Sequence, residues 1–420
     1  MNRTRSTITA LMIAQICAGF GHGLTFSMGS LLAVKLQGEA WGGTALALTM
    51  AGAAIWAIPL GKLVTRFDRR ASLMTGLILA MVGASSALLA AQTSFFPLAL
   101  FGFFFLGGEV AVNYQARFAA SDVSAPGHQA RNLSIVMWST TVGAIIGPQL
   151  FSATERLRMY LGLEEFTGAY IICLVAQALG VIALFVGMPR GVKPAAAQES
   201  TSATTTTEAG PAAPAARLRD YPAVRAAIAT VAVSHFAMIS IMAMSAVHLR
   251  HNHADLSFIG IVISGHIGAM YILAPLFGFL ADRYSAFTAI GLGVGLNIAS
   301  CIIIFLSGGT SNGVLVGMVV LGFGWSSTLV GTSSLLLAAS PQGSRAAFQS
   351  RSDLVMNLTG AAGGLLAGPV AALIGLQHLA GVIAVIIAVQ VLACVRALRE
   401  RPSVAKQNTA PVPQPAALVS

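Results

Sequence analysis

Two spacings within residues 234–280 carry chemistry. Met238 and Met242 lie four apart, and so do His266 and Met270. On a helix, four residues make about one turn, about 6 Å along the axis, so each pair presents two side chains to one point. Thioether sulfur and imidazole nitrogen together suit Cu(I), the softest of the common biological metal ions. From 15 methionines and eight histidines in 420 residues, chance gives about half of one Met-x-x-x-Met pair and about 0.3 of a His-x-x-x-Met pair. Each spacing occurs once, near the centre of two consecutive apolar segments joined by the polar stretch LRHNHADLS. The plainer reading of the methionines is core or lipid-facing packing. Histidine at bilayer depth is costly unless it meets a cavity or a partner. The two pairs together therefore point to a metal site: Met238, Met242, His266 and Met270.

Other residues extend that set or compete with it. His235 lies three before Met238, either on the ligand stripe or bonded to a carbonyl. Met244, His248, His251 and His253 run toward the end of the same segment. They form a candidate substrate path, although His251 and His253 read more simply as solvated loop residues. His22 could face the same path from the other half of the chain. Glu109, in FLGGEVAVNY, is an intramembrane carboxylate, which marks a functional candidate. It either carries a coupling proton or holds a structural hydrogen bond. Arg117, Asp122, Arg131, Arg351 and Asp353 read as salt bridges that gate one face. No G-x-x-x-x-G-K-[ST] loop occurs, so an ATP-driven pump is not indicated. The cysteines, Cys17, Cys173, Cys301 and Cys394, show no C-x-x-C spacing, so neither a zinc site nor a redox motif is expected.

The elements that must position these residues are membrane helices. The chain is 56% hydrophobic and 9% charged, against about a quarter charged in soluble domains. The hydrophobic runs predict twelve spans, over 8–34, 42–64, 71–91, 95–117, 132–152, 167–188, 222–248, 257–280, 286–307, 312–338, 347–375 and 378–396. Each approaches or exceeds the ~20 residues needed to cross a bilayer. The net charge of +10 fits a positive-inside bias rather than nucleic-acid binding. With the N-terminus in the cytoplasm, twenty of the 24 Lys and Arg residues fall on that side. Both termini and the central linker are then cytoplasmic. MNRTR precedes a run too long for a cleaved signal and reads as the start of a retained first span.

The chain divides at its low-complexity stretch. Residues 1–188 form a six-helix bundle, 189–221 a cytoplasmic linker without a core, 222–398 a second six-helix bundle and 399–420 a tail. The linker's Ala, Thr and Pro composition predicts disorder. The halves echo one another. GAIIGP (Gly143, Gly147, Pro148) recurs as GLLAGP (Gly364, Gly368, Pro369). The loop GKLVTR at 61–66 recurs as GFLADR at 278–283. The expected fold is all-α, with twelve transmembrane helices in two pseudo-repeats.

This duplication resembles the major facilitator superfamily. The family's G-x-x-x-D-R loop is intact at Gly278–Arg283. It is degraded after Gly61, with Thr65 at the Asp position and Asp68 at the second Gly position. The resemblance implies a substrate site near the midplane between the halves and alternating access by rocking. The paired Met-x-x-x-Met and His-x-x-x-Met motifs are similar to those of the CcoA-like copper importers, a bacterial branch of that superfamily. This implies import of copper as transported substrate, with no resident cofactor, across the bacterial cytoplasmic membrane to supply haem–copper oxidase assembly. The expected partners are a small ion or small molecule and the bilayer, with no nucleic acid, and the expected state is a monomer without enzymatic activity. Two other readings stand beside it. One is an importer of riboflavin or a similar organic solute, using Phe236, Trp138, Asn113, Gln115, Tyr114 and Tyr271. The other is a membrane metal sensor that moves nothing.

Overall fold

The computed structural model describes residues 2–123, 129–192, 218–341 and 344–399. Among them every regular element is helical. The first half comprises α1 (Asn2–Gln37), α2 (Thr44–Arg66), α3 (Arg69–Thr93), α4 (Phe96–Asp122), α5 (Gln129–Gln149), α6 (Phe151–Tyr160) and α7 (Thr167–Gly187). The second comprises α8 (Pro222–His251), α9 (Leu256–Ile272), α10 (Ala274–Arg283), α11 (Ala286–Leu306), α12 (Ser311–Ala339) and α13 (Arg345–Arg399). Ten segments are long and apolar enough to cross a membrane. α5 is not among them, and α13 is counted once although it folds in two. Including α5 and both arms of α13, the bundle has twelve crossing segments, six in each half.

The packing repeats as the sequence does. α1 lies along α5, α3 along α4, and α2 on α4; correspondingly α8 lies along α13, α11 along α12, and α9 on α12. Side-chain caps fix several helix starts. Asp68 accepts Ala71 N–H at 2.7 Å, and Asp255 accepts Phe258 N–H at 2.7 Å. Ser285 caps α11 and Thr310 caps α12 in the same way. Each such cap satisfies a donor that the helix itself cannot.

Four expected spans differ in detail. The run 257–280 is two helices, α9 and α10, meeting at Leu273. Pro275 opens α10; it has no N–H to continue the ladder and its ring crowds the preceding turn. The run 132–152 begins earlier and ends at Gln149; past Leu150, α6 leaves as a separate helix. The runs 347–375 and 378–396 join without a loop, and the turn is made at Gly375, whose φ of 79° and ψ of 162° suit glycine alone.

The linker is held at both described ends. Gly191 N–H donates to Asp68 Oδ2 at 2.8 Å, and Arg69 N–H donates to Val192 O at 2.9 Å. At the other end Tyr221 and Leu218 pack on a small core of Val224, Ile228, Leu336 and Phe348. The low-complexity core of the linker and the tail beyond Arg399 lie outside the described residues. Asp68, which breaks the family loop pattern, thus both caps α3 and clasps the start of the linker.

The halves meet at the end of the bundle remote from the linker. A Cβ on Gly43 would run into the carbonyl of Gly364, and one on Gly364 would lie 2.9 Å from Gly43 O. Across the other seam, Ser264 Oγ donates to Ile145 O at 2.7 Å, and Ser152 and Ser257 share a hydrogen bond at 2.7 Å. Arg250 pairs with Glu165 at 3.1 Å and His251 with Glu39 at 3.1 Å. These crossing bonds all lie at that one end, which the structure therefore shows shut. Beside them Lys35 donates to Glu164 at 2.8 Å, and that hydrogen bond with the ammonium charge holds the Glu164 carboxyl below its ordinary range. At the linker end, a Cβ on Gly61 or on Gly278 would meet nothing within 4 Å.

Candidate transport site

Pro222 starts α8 at a position where its missing N–H costs nothing, and an uninterrupted apolar run carries the helix to His251. Met238, Met242 and Met244 are buried within it. On α9, His266 is fully enclosed and Met270 is 9% exposed. Each expected ligand pair thus sits one turn apart on its own helix. The two helices do not pack side by side as a hairpin. α8 lies mainly against α13 and α12, and α9 against α12 and α5. α12 therefore backs both pairs, and Gly322 lets it approach α9 closely: a Cβ there would lie 2.5 Å from His266 O.

His266 has a defined tautomer. Its Nδ1 lies 2.7 Å from Met318 O. A carbonyl can only accept, so Nδ1 carries the proton. In the neutral ring Nε2 is then a bare lone pair, and it is buried with no partner. Metal-binding histidines are typically oriented in this way, one nitrogen donating to a carbonyl and the other free. His235 has the opposite arrangement. Trp325 Nε1–H donates to its Nδ1 at 3.0 Å, so in the neutral ring Nε2 carries the proton. That nitrogen is also buried without a partner, facing Gly360. His235 is oriented as a donor rather than a ligand.

The remaining path candidates divide. Met244 is buried in the same apolar cluster as Met238, Met242 and Met270. His248 Nε2 is bonded to Gly309 O at 2.6 Å and ties α8 to the turn before α12. His251 is taken up by Glu39, and His253 is an exposed turn residue with φ of 60°. His22 lies in the other half, 3.9 Å from Glu109. Among the described residues no three His, Cys, Asp or Glu side chains form a metal-binding group.

Glu109 is buried on α4, and Gln177 Nε2–H donates to its Oε2 at 2.5 Å. Sequence reasoning missed Gln177, a lone amide in the apolar run of α7, and also Trp325, Met318 and Asn297. Asn297 donates to Ser234 at 2.8 Å and fixes α11 to α8. The gating residues are only partly described. Asp122 pairs with Arg69 at 2.8 Å, within the first half; the side chains of Arg117 and Arg131 lie outside the described residues. Asp353 accepts Gln349 within α13, and Arg351 is exposed. Of the residues suited to an organic solute, Asn113 is engaged by Gln15 and Thr140, and Gln115 by Ser72. Phe236 and Tyr271 are half-buried, Trp138 is exposed, and the side chain of Tyr114 lies outside the described residues.

The description of the Major Facilitator Superfamily matches residues 11–247 and again 226–420. The chain belongs to that superfamily. YddS of Bacillus subtilis, described as an uncharacterized MFS-type transporter, is 30% identical over 373 residues, covering 88% of this chain and 85% of that protein. The riboflavin transporter RfnT of Brucella anthropi is 27% identical over 371 residues, covering 87% and 88%. Among solved structures, a bacterial homologue of the human lysosomal transporter Spinster, inward-facing and unoccupied, superposes with a TM-score of 0.73 at 16% identity. That match covers 96% of this chain and 99% of the other, and it shows the fold. The chain is thus a multi-pass secondary transporter of the superfamily, built to carry a small substrate rather than to catalyse a reaction.

Proposed function

We propose that this transporter imports Cu(I), with Met238, Met242, His266 and Met270 as the groups that hold the ion in transit. The observation that carries the reading is His266: an enclosed imidazole, its tautomer fixed by Met318 O, with a lone pair on Nε2 that nothing in the described chain uses. A thioether one turn along the helix supplies a donor matched to a soft ion. On this reading the α8 pair closes onto the α9 pair during the transport cycle, since both helices pack against α12, α9 at Met318 and α8 at Trp325. The proposed orientation puts the shut end in the periplasm and both termini in the cytoplasm, in the bacterial inner membrane, with the protein working as a monomer.

A second reading is import of riboflavin, and the likeness to RfnT supports it. The methionines discriminate between the two. Met→Leu nearly conserves volume and apolarity, so a planar vitamin is little affected while Cu(I) loses a ligand. Copper uptake by cells carrying Met238→Leu with Met242→Leu should fall to background at normal protein level, and excess riboflavin should not compete in the parent. Copper uptake equal to the parent's in the double variant would overturn the metal reading and leave the vitamin in its place.

A further inference from the structure

The first half contains a buried polar cluster that the metal reading does not use. Glu109 on α4 is 1% exposed. Its Oε2 takes the bond from Gln177, and its Oε1 has no hydrogen-bond partner. His22 Nδ1 on α1 lies 3.9 Å from that oxygen and is likewise without a hydrogen bond. The His22 side chain is 25% exposed, and its ring lies on Phe26 with centroids 3.6 Å apart. The absent side chain of Gly21 makes room for the cluster, since a Cβ there would lie 2.8 Å from Glu109 Oε2 and 3.1 Å from Cys173 Sγ. The orphan atoms continue on either side. Gln177 Oε1 and Tyr170 Oη on α7 are buried and unpartnered, and so is Gln15 Oε1 on α1, two turns from His22. Glu109 Oε1 and these four atoms on α1 and α7 thus form a polar cluster inside an otherwise apolar half.

A carboxylate buried among apolar helices, with only the neutral Gln177 amide and Thr25 hydroxyl beside it as donors, is poorly compensated in its charged form. As the neutral acid it carries a proton on Oε1, facing the only nearby imidazole nitrogen among the described residues that can take it. A side-chain rotation brings 3.9 Å to hydrogen-bond distance. We propose that Glu109 and His22 form the coupling-proton site of the transporter, so that the first half carries the proton and the second half carries the cargo. The inference rests on the chain being a secondary transporter, and not on which cargo it moves. The step is simple to balance. Glu109 Oε1 gains a proton from water on the entry side, His22 Nδ1 on its partly exposed ring relays it, and water on the other side receives it; no other bond is made or broken. The titratable groups around Glu109 are His22 on α1 and Tyr170 and Cys173 on α7. Near Glu109 the faces of α2, α3 and α5 against α4 bring Thr49 and Gly52, Gly76 and Ala80, and Thr140; the charged pair between α3 and α4, Arg69 with Asp122, lies more than three turns further along α4.

Two readouts test this without depending on copper. In purified full-length protein in lipid, pH-titrated infrared difference spectra should show the C=O stretch of a neutral carboxylic acid disappearing as pH rises, and Glu109→Gln should lack that band. In vesicles loaded with a pH dye and offered Cu(I) or riboflavin, whichever the parent transports, the parent should acidify the lumen during uptake. Glu109→Gln should retain substrate exchange, which moves no net proton, and lose both acidification and accumulation. His22→Gln should shift the pH profile of uptake while exchange persists. Should Glu109→Gln fail to insert, Glu109→Asp serves: it keeps the acid, so proton flux with a shifted pH profile is expected. An unchanged infrared band in Glu109→Gln, or accumulation and acidification equal to the parent's in that variant or with an unshifted profile in Glu109→Asp, overturns the proposal. Loss of copper transport in the methionine variants with the band intact would bear on the cargo alone.

Discussion

Gly364→Ala tests whether the contact at the shut end is what holds it closed. The added Cβ would lie 2.9 Å from Gly43 O, 3.0 Å from Ala47 N and 3.1 Å from Ala47 Cβ. Favourable contacts between carbon atoms lie near 3.5–4.0 Å, and two of these three atoms are backbone, which cannot rotate away. Overpacking of this kind costs roughly 1–3 kcal/mol. The cost falls on the closed state alone, because Gly43 and Ala47 belong to the opposite half and retreat when that end opens. The gain in helix propensity from Gly to Ala, about 1 kcal/mol, is common to both states and cancels. The closed-to-open ratio should therefore fall by about 5–150-fold. The assay uses Ser152→Cys with Ser257→Cys, whose hydroxyls are 2.7 Å apart across the seam. A disulfide needs about 2.04 Å between sulfurs, a distance small side-chain adjustment supplies only while the end is shut. Cross-linking, read by whether the halves stay joined after cleavage in an engineered linker site, should slow when Gly364→Ala is added. The oxidised pair should block uptake and reduction should restore it. If Gly364→Ala cross-links and transports at the parent rate, or if the cross-linked protein still transports, the seam is not the closing contact.

The other expectations are as follows. Reporter fusions at Ala195 and Ser420 should be active only with a cytoplasmic reporter; periplasmic activity at either site would reverse the proposed orientation. Asp68→Ala should lower thermal stability by about 0.5–2 kcal/mol through the lost cap, and should raise proteolysis near Gly191, since the same carboxylate holds that N–H; unchanged cleavage there would show that the clasp is not maintained. His266→Ala should abolish copper uptake with normal insertion. Met318→Leu should leave uptake intact, because His266 uses the backbone carbonyl at 318 rather than its side chain; loss of uptake in Met318→Leu would instead make that sulfur a ligand.

Much of the architecture is written in features that sequence displays directly. Apolar runs and the twofold recurrence of G-x-x-x-G-P mark the segments and the duplication, because lipid demands long helices with internally satisfied backbones. What the recurrence hides is that the same motif does two jobs. Gly143 and Gly147 let α5 approach α1 within one half, whereas Gly364 and Gly368 approach Gly43 and Ala40 across the seam. Nothing local distinguishes them; the difference lies in which half the helix faces. The break before Pro275 was available in the sequence as a helix-breaking residue, and the continuous 257–280 span passed over it because hydropathy does not register a missing N–H. The turn at Gly375 falls at the expected boundary between the runs 347–375 and 378–396; that one glycine makes it without a loop was not visible, since many of the chain's 44 glycines lie inside helices.

The candidate site was legible as residue types but not as chemistry. Spacing placed His266 and Met270 on one helical face, yet it could not tell a ligand histidine from a donor histidine. That distinction lies with residues distant in sequence: Met318 O, 52 positions away, turns the Nε2 lone pair of His266 outward, while Trp325, 90 positions from His235, turns an N–H outward instead. Two buried histidines thus acquire opposite hydrogen-bonding character from one helix, α12. On the proposed copper reading, a soft cation uses the first and is repelled by the second, which would put the ion beside His266 and Met270 and away from His235. If that is right, Trp325→Phe, which frees His235 Nδ1 while keeping an aromatic ring, should permit the alternative tautomer there. Copper should then bind at a second position and linger, slowing uptake at saturating copper, and Trp325→Phe added to His266→Ala should recover part of the copper binding that His266→Ala alone loses. Wild-type uptake and unchanged binding stoichiometry in Trp325→Phe would show that tautomer control at His235 has no part in setting the route.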